Sequence, residues 1–272
     1  MSHSIFDDLR LYYRLIGMQL RAQWQYKINL TLDITAYLGI TVLEFSALLL
    51  FFGPFPTMLG WRVGEVALLA AIMSISFGLA EMIGAGVDNF SETIRRGEFD
   101  RVLLRPAGAF LQIIGSDFRL RRLGRITQGL IAFVVALRLL PDLHWTAAKL
   151  LVLPIAFTSG AAIFVSILLL GATLCFWTVE ANELTSLLFY GGREMSSYPI
   201  TIYSQGLQRF FLFVVPIAFG SYVPVCYILD RPLPFGLPGE LAFAAPVVAL
   251  LFAIFAGIIW RFGVQHYQST GS

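Results

Sequence analysis

Three carboxylates lie inside long apolar stretches, where a charge is costly. Asp33, Glu44 and Glu81 are each surrounded mainly by aliphatic and aromatic residues. An ionised side chain at mid-membrane costs roughly 2.5–3.5 kcal/mol on insertion scales, so such acids commonly bind cations, carry protons or pair with a partner. Glu44 is the most central in its run and is our first candidate for the pathway of a cationic solute, with Glu81 second. Structural pairing or protonation is the alternative for both.

A dense charged segment, SETIRRGEFDRVLLRPAG from Ser91 to Gly108, sits between two of the apolar runs. Gly97 interrupts it and Pro106 stops it, so a short helix is predicted between these two residues. The apolar residues of this helix share one face and the charged residues form its rim. The apolar face consists of Phe99, Val102 and Leu103, and the rim of Glu98, Asp100, Arg101 and Arg105.

A short helix with an apolar stripe and a charged rim is suited to docking into a groove on another protein. The alternative is that the arginines only set the topology and bind anionic lipid headgroups. That alternative explains the arginines, but it does not explain the interleaved acids or the glycine and proline that delimit the helix. We therefore favour docking.

Residues for catalysis or metal binding are sparse. Cys175 and Cys226 lie in apolar surroundings, and the three histidines are scattered along the chain. A P-loop requires a lysine after its glycine-rich turn, and neither Lys27 nor Lys149 follows such a turn. We therefore expect no catalytic residue, no metal site and no cofactor in this chain.

The composition indicates a membrane protein. Hydrophobic residues make up 57% of the 272 residues and charged residues 13%, and the mean hydropathy is +0.75. Soluble domains are typically about 45–50% apolar and about 25% charged. One core of this size cannot bury the surplus of apolar side chains, so the surrounding partner must be a lipid bilayer. Several runs are as long as a spanning helix, which predicts an all-α, multi-pass protein.

The elements that must position these residues are helices. Apolar residues at three- and four-residue spacing predict an amphipathic helix lying on the membrane within residues 1–27. Hydropathy then predicts about six spanning segments within a transmembrane domain of residues 28–262. They are at about 28–52, 63–87, 125–140, 149–177, 207–228 and 241–260. The loop 88–124, between spans two and three, carries the charged segment, and residues 263–272 form a tail.

Orientation follows from the lysines and arginines, which are enriched in cytosolic loops. With the N-terminus inside, all of them except Arg62, Arg138, Lys149 and Arg231 fall on the cytosolic side. We therefore expect both termini, the tail and the charged loop to be cytosolic. The net charge of +2 gives no reason to expect a nucleic-acid partner.

Two segments carry a resemblance to a known family. IRRGEFDRVLLRP resembles the cytosolic loop signature of ABC-2-type permeases, in a six-span branch formerly catalogued as a domain of unknown function. The stretch SSYPITIYSQGLQRFFLFVVPIAFGSYVPVCYIL, from Ser196 to Leu229, resembles the second signature of that branch. In that signature a Tyr-Pro pair precedes the fifth span and a Tyr-x-Pro closes it. Val225 departs from it, because a small residue is expected after the final proline.

The resemblance implies the permease subunit of an ATP-driven exporter in a bacterial inner membrane. Two permeases, identical or diverged siblings, would pair, and separate ABC ATPase subunits would hold Mg-ATP. The helix at residues 98–106 would be the coupling helix: its apolar face would fill a groove of the ATPase, and its charged rim would pair around that groove. Named relatives of this branch include permeases for organic dications such as viologens, which Glu44 would suit.

Two other functions remain open. The first is a secondary transporter that needs no ATPase and uses Glu44 or Glu81 as a proton or cation site. The charged segment and the lack of a visible inverted repeat argue against it. The second is a membrane scaffold that transports nothing.

Overall fold

The chain folds almost entirely into helices, and the computed structural model describes residues 5–52, 57–105, 108–178 and 185–267. The predicted helical class is confirmed. In chain order the α-helices are α1 (Ile5–Trp24), α2 (Lys27–Phe52), α3 (Val63–Ile83), α4 (Ala85–Asp88), α5 (Phe90–Arg95), α6 (Phe99–Leu103), α7 (Ala109–Ile114), α8 (Leu123–Leu139), α9 (Ala147–Leu174), α10 (Gly192–Ser196), α11 (Gln205–Arg209), α12 (Tyr222–Ile228) and α13 (Ala245–Gln265).

Two short strands join α2 to α3. β1 (Thr57–Met58) and β2 (Trp61–Arg62) pair antiparallel, with Thr57 opposite Arg62. The two residues of their turn, Leu59 and Gly60, have positive φ values of 47° and 82°. Positive φ at both positions is typical of the tight turns whose twist matches a β-hairpin.

Three helical segments are long and apolar enough to cross a membrane, judged by length and composition over the described residues. They are Val63–Ile83, Ala147–Leu174 and Gly239–Gln265, the last of which contains α13. They agree with the second, fourth and sixth predicted spans to within a few residues. Helix α2 (26 residues) and helix α8 (17 residues) occupy the places predicted for the first and third spans. The total of six spans remains a prediction.

The helices define two ends of the bundle. Helices α3 and α8 run antiparallel: a Cβ on Gly64 would lie 2.9 Å from Leu139 Cβ, and one on Gly78 would lie 2.9 Å from Ile126 Cγ1. We call the end where α3 finishes and α8 begins the hairpin end, because the charged segment lies there. The opposite end, which includes residues 57–62, 140–146 and 229–238, is the turn end.

The fifth predicted span, 207–228, is not one continuous helix. It comprises α11, a π-helical turn (Phe210–Val214), a 3-10 turn (Ile217–Gly220) and α12. Proline has no amide hydrogen to donate, and Pro216 lies where the π turn gives way to the 3-10 turn. The Arg209 guanidinium lies 5.3 Å from the centre of the Phe235 ring, near the turn end. This corrects the assignment of Arg209 to the same side as the charged segment.

The irregular backbone of this region is buried halfway along α9. Gly160 is near the middle of that helix, and a Cβ on Gly220 would lie 2.5 Å from Gly160 Cα. The buried Ser221 hydroxyl donates to the Ser196 carbonyl at 3.3 Å. Non-helical backbone at membrane depth is tolerated only where protein buries it or where it lines a cavity. The close approach of α9 provides that burial.

Arg231 links several elements at the turn end. Arg231 donates to both Glu65 carboxylate oxygens, at 3.2 and 2.7 Å, and to the Gly60 carbonyl at 2.6 Å. Its guanidinium lies 4.4 Å from the Trp61 ring centre. Nearby, Lys149 donates to Asp230 at 2.5 Å. These contacts join the starts of α3 and α9 to the end of α12.

Candidate functional site

The charged segment forms two short helices at the hairpin end, α5 and α6, and α7 follows directly after it. Gly97 separates α5 from α6 with a φ of 65°, a conformation that favours glycine. Gly86 lets α7 approach α4 closely, since a Cβ there would lie 1.9 Å from the Ile113 carbonyl oxygen. The Gln112 side chain donates to the Val102 carbonyl at 3.0 Å, which ties α7 to α6. The segment is therefore packed against the bundle.

Phe99 is fully buried and belongs to the core of the chain itself. Its ring packs against Phe90 (centroids 5.1 Å apart), Phe176 (5.5 Å) and Tyr267 (5.0 Å). The same aromatic cluster includes Trp260 of α13. The expectation that the Phe99 side chain fills a partner's groove is therefore corrected. Burial of the ring against these aromatic partners stabilises the fold more than exposure of the ring on the surface would.

The exposed apolar surface of this segment consists of Leu103 and Leu104, at the end of α6, and does not include Phe99. Leu103 is 44% exposed and Leu104 85% exposed. Val102 and Asp100 are half-buried, whereas Glu98, Arg101 and Arg105 are exposed. Leu104 was absent from the predicted set, and Pro106 lies outside the described residues. The surface available to a partner is thus a pair of leucines among exposed charges.

Some of the interleaved acids are used within the segment. Glu92 accepts from Arg96 Nε at 2.7 Å and lies 3.9 Å from Arg95. Both pairs are exposed and follow helical i,i+4 and i,i+3 spacing, so each contributes only a few tenths of a kcal/mol. Arg95 of α5 and Arg96 just after it are thereby partly neutralised. Arg101 and Arg105 form no such pair with any residue in the described part of the chain.

Glu81 lies near the end of α3 and is almost fully buried, with 3% of its side chain exposed. Its two carboxylate oxygens lie 3.2 Å from Arg122 and 3.0 Å from Arg125. Arg122 also donates to the Tyr37 hydroxyl of α2 at 2.6 Å. These ion pairs join the end of α3 to the start of α8. They stabilise that contact, because removing one partner of a buried ion pair leaves an uncompensated charge.

Glu44 occupies a different environment on α2. It accepts from Gln128 Nε2 at 2.5 Å and lies 3.5 Å from Arg193 of α10. Its side chain is still 48% exposed, and its apolar neighbours Val42 and Leu43 are 65% and 71% exposed. The carboxylate thus bridges α2, α8 and α10 and also faces outwards.

Helix α1 is anchored to the loop before α8 by two glutamines. Gln23 accepts from the Leu120 amide at 2.8 Å, and its own amide donates to the Phe118 carbonyl. Gln19 donates to the Ser116 carbonyl at 2.8 Å. This contact was not predicted, because a glutamine on an amphipathic helix gives no sign of which distant backbone it will meet.

A small polar cavity of about 210 Å³ lies beside α4, α5 and the last turns of α9. Asp88, Ser91, Cys175 and Tyr190 are among its lining residues. Burial raises the pKa of the Asp88 carboxyl, and Arg119 at 3.6 Å opposes that shift.

Within the described residues no group of three or more histidine, cysteine or acidic side chains is placed to hold a metal ion.

Comparison with known proteins gives one match. A family model described as ABC-2 family transporter protein matches residues 38–271, which is most of the chain. Neither the curated proteins nor the solved structures contain a match.

Proposed function

Because the chain belongs to the ABC-2 family of transporter proteins, we propose that it is the permease subunit of an ATP-driven exporter. It would form half of a translocation pathway in a bacterial inner membrane, with both termini cytosolic. Separate ABC ATPase subunits would bind and hydrolyse Mg-ATP. The observation that carries the proposal is the arrangement of α6, which is anchored in the core on one side and presents two leucines on the other.

The anchoring of α6 supports a mechanical role. Phe99 contacts Phe176, just after α9, and Trp260 of α13. Protein interiors are closely packed and transmit strain, so a displacement of α6 would be passed to both helices. A partner that pushed on Leu103 and Leu104 would therefore move two long helices. In this mechanism closure of the ATPase subunits on ATP rocks the paired permeases between inward- and outward-open states.

Helix α2 supplies a surface suited to a second permease. Leu32, Ile40, Leu43 and Leu50 are 44–77% exposed along it, and a Cβ on Gly39 would meet nothing within 4 Å. In a membrane an apolar face can be covered by lipid. Gln128 and Arg193 leave the Glu44 side chain 48% exposed, and this exposed part would need a further polar neighbour. A second permease, identical or a diverged sibling, would enclose Glu44 in the pathway between the two copies.

The alternative of a proton- or cation-coupled secondary transporter receives less support. Such a transporter needs an intramembrane carboxylate that can exchange its ion during the cycle. Glu81 already holds two arginines, and Glu44 already lies near Arg193. The anchored α6 has no role in that alternative.

Co-purification tests the proposal. The tagged chain would be isolated in mild detergent from cells that naturally produce it, as wild type and with Leu103→Asp plus Leu104→Asp. Phe99 stays intact, because its loss would disturb the core. We expect an ATP-hydrolysing protein with a P-loop to accompany the wild type and to be lost from the double variant. Leu59→Asp, which changes a 74% exposed leucine at the turn end, should retain it. Absence of an ATPase from wild-type preparations, or its retention by the double variant, would contradict the proposal.

A further inference from the structure

An apolar groove runs along the outside of the bundle between α3, α9 and α13. Its volume is about 810 Å³. Small residues, including Ala161, Ala253 and Gly257, contribute to its lining together with branched residues such as Val165 and Ile254. A Cβ on Gly257 would meet nothing within 4 Å, so the space in front of this glycine is open.

The groove offers little to water. The hydroxyls of Thr158 and Ser166 belong to its lining, but each donates to a carbonyl of its own helix, at 2.7 Å to Pro154 and 2.7 Å to Ala162. Apolar cavities without free polar partners stay dry. In a bilayer such a space is filled by hydrocarbon.

The length of the groove corresponds to one leaflet. Along α9 its lining extends from Thr158, near the middle of the helix, to Leu169. At about 1.5 Å per residue this distance is roughly 16 Å. Half of a hydrocarbon core about 30 Å thick is about 15 Å. The groove therefore covers the depth of one acyl layer, on the side of the hairpin end.

A cationic side chain stands at the hairpin end of the groove. Arg261 lines it there, beside Trp260 and Phe110, and is exposed. Among the described residues Arg261 forms no ion pair, in contrast to Arg122 and Arg125. A guanidinium presents paired donors that match the oxygens of a phosphate. The apolar groove, one leaflet deep, matches the acyl chain of a phospholipid, and the unpaired Arg261 guanidinium at its hairpin end matches the phosphate.

We propose that this groove binds one phospholipid, with an acyl chain lying along α9 and α13 and its phosphate paired with Arg261. The lipid would cover apolar surface shared by three helices and would remain bound when bulk lipid is removed. This site does not depend on which solute the protein moves or on whether an ATPase drives it.

The test uses the full-length protein reconstituted in phosphatidylethanolamine vesicles that contain a small fraction of phosphatidylglycerol with a photoactivatable acyl chain. After irradiation, mass spectrometry locates the labelled peptides. We expect labelling to concentrate on residues 158–169 and 253–260. A phosphatidylcholine probe should label similarly, because the phosphate is shared. A diacylglycerol probe, which lacks the phosphate, should label about tenfold less, since a charge-assisted hydrogen bond is lost.

Two variants and two controls make the test specific. Gly257→Trp should fill the open space and abolish labelling of the groove. Arg261→Gln, a surface change that leaves the helix packing intact, should reduce labelling about tenfold. Gly39→Trp on α2 and Arg138→Gln at the turn end should leave it unchanged. Even labelling of all outward-facing helices, or labelling by diacylglycerol equal to that by phosphatidylglycerol, would overturn the proposal.

Discussion

Truncation of Phe99 gives the sharpest prediction about how the charged segment is held. The ring is fully buried and lies 5.0–5.5 Å from three other aromatic rings. A buried Phe→Ala change costs about 3–5 kcal/mol, because the apolar contacts are lost and a cavity remains. For a protein of this size each kcal/mol lowers the unfolding midpoint by about 2–4 °C, so Phe99→Ala should lower it by roughly 6–20 °C.

The neighbouring Leu104 provides the matched comparison. It is 85% exposed, so Leu104→Ala should change the free energy of unfolding by no more than about 0.5 kcal/mol. Phe99→Leu keeps a large apolar side chain and should fall between wild type and Phe99→Ala. The assay is thermal unfolding in detergent, followed by the fluorescence of the tryptophans. Equal destabilisation by Leu104→Ala and Phe99→Ala, or an unchanged midpoint for Phe99→Ala, would refute the placement of α6 described above.

Three further predictions concern the framework, and thermal unfolding in detergent checks each. Glu81→Gln removes the buried carboxylate that pairs with two half-buried arginines and should cost about 3–5 kcal/mol; an unchanged midpoint would show that the arginines find other partners. Gly220→Ala forces a Cβ to within 2.5 Å of the facing helix backbone and should cost about 1–3 kcal/mol, whereas Gly39→Ala should not. Arg231→Lys keeps the charge but loses the two-pronged contact with Glu65, so it should cost about 1.5–3 kcal/mol. Wild-type stability in Arg231→Lys would argue against that contact.

The long helices could be predicted from the sequence because a single property, apolar run length, determines them. Helix α3 begins one residue after Arg62 and ends near Ile83, and α9 ends at Leu174, close to the predicted limits. Hydropathy does not register backbone geometry, which explains the error at 207–228. That stretch is mainly apolar, but Pro216 and the contact of Gly220 with α9 break it into short turns.

The candidate site was predicted in part. The position of the charged segment and its helix followed from Gly97 and from the pattern of charges. The burial of Phe99 did not, because its partners Phe176 and Tyr267 lie far away in the sequence. A helical face can be recognised locally, whereas the surface that covers it depends on tertiary packing. For the same reason the pairing of Glu81 with two arginines, and of Glu44 with Arg193, was left open by the sequence.

A site-specific photo-cross-link from Leu104 tests the central claim most directly. With the two native cysteines replaced by serine, Leu104→Cys would carry a benzophenone label in the complex purified from its natural cells, and Leu59→Cys would serve as the control. The account predicts an adduct from position 104 whose peptides come from a P-loop ATPase, and none from position 59. No ATPase adduct from position 104, or equal adducts from both positions, would contradict the claim that α6 couples this permease to ATP hydrolysis.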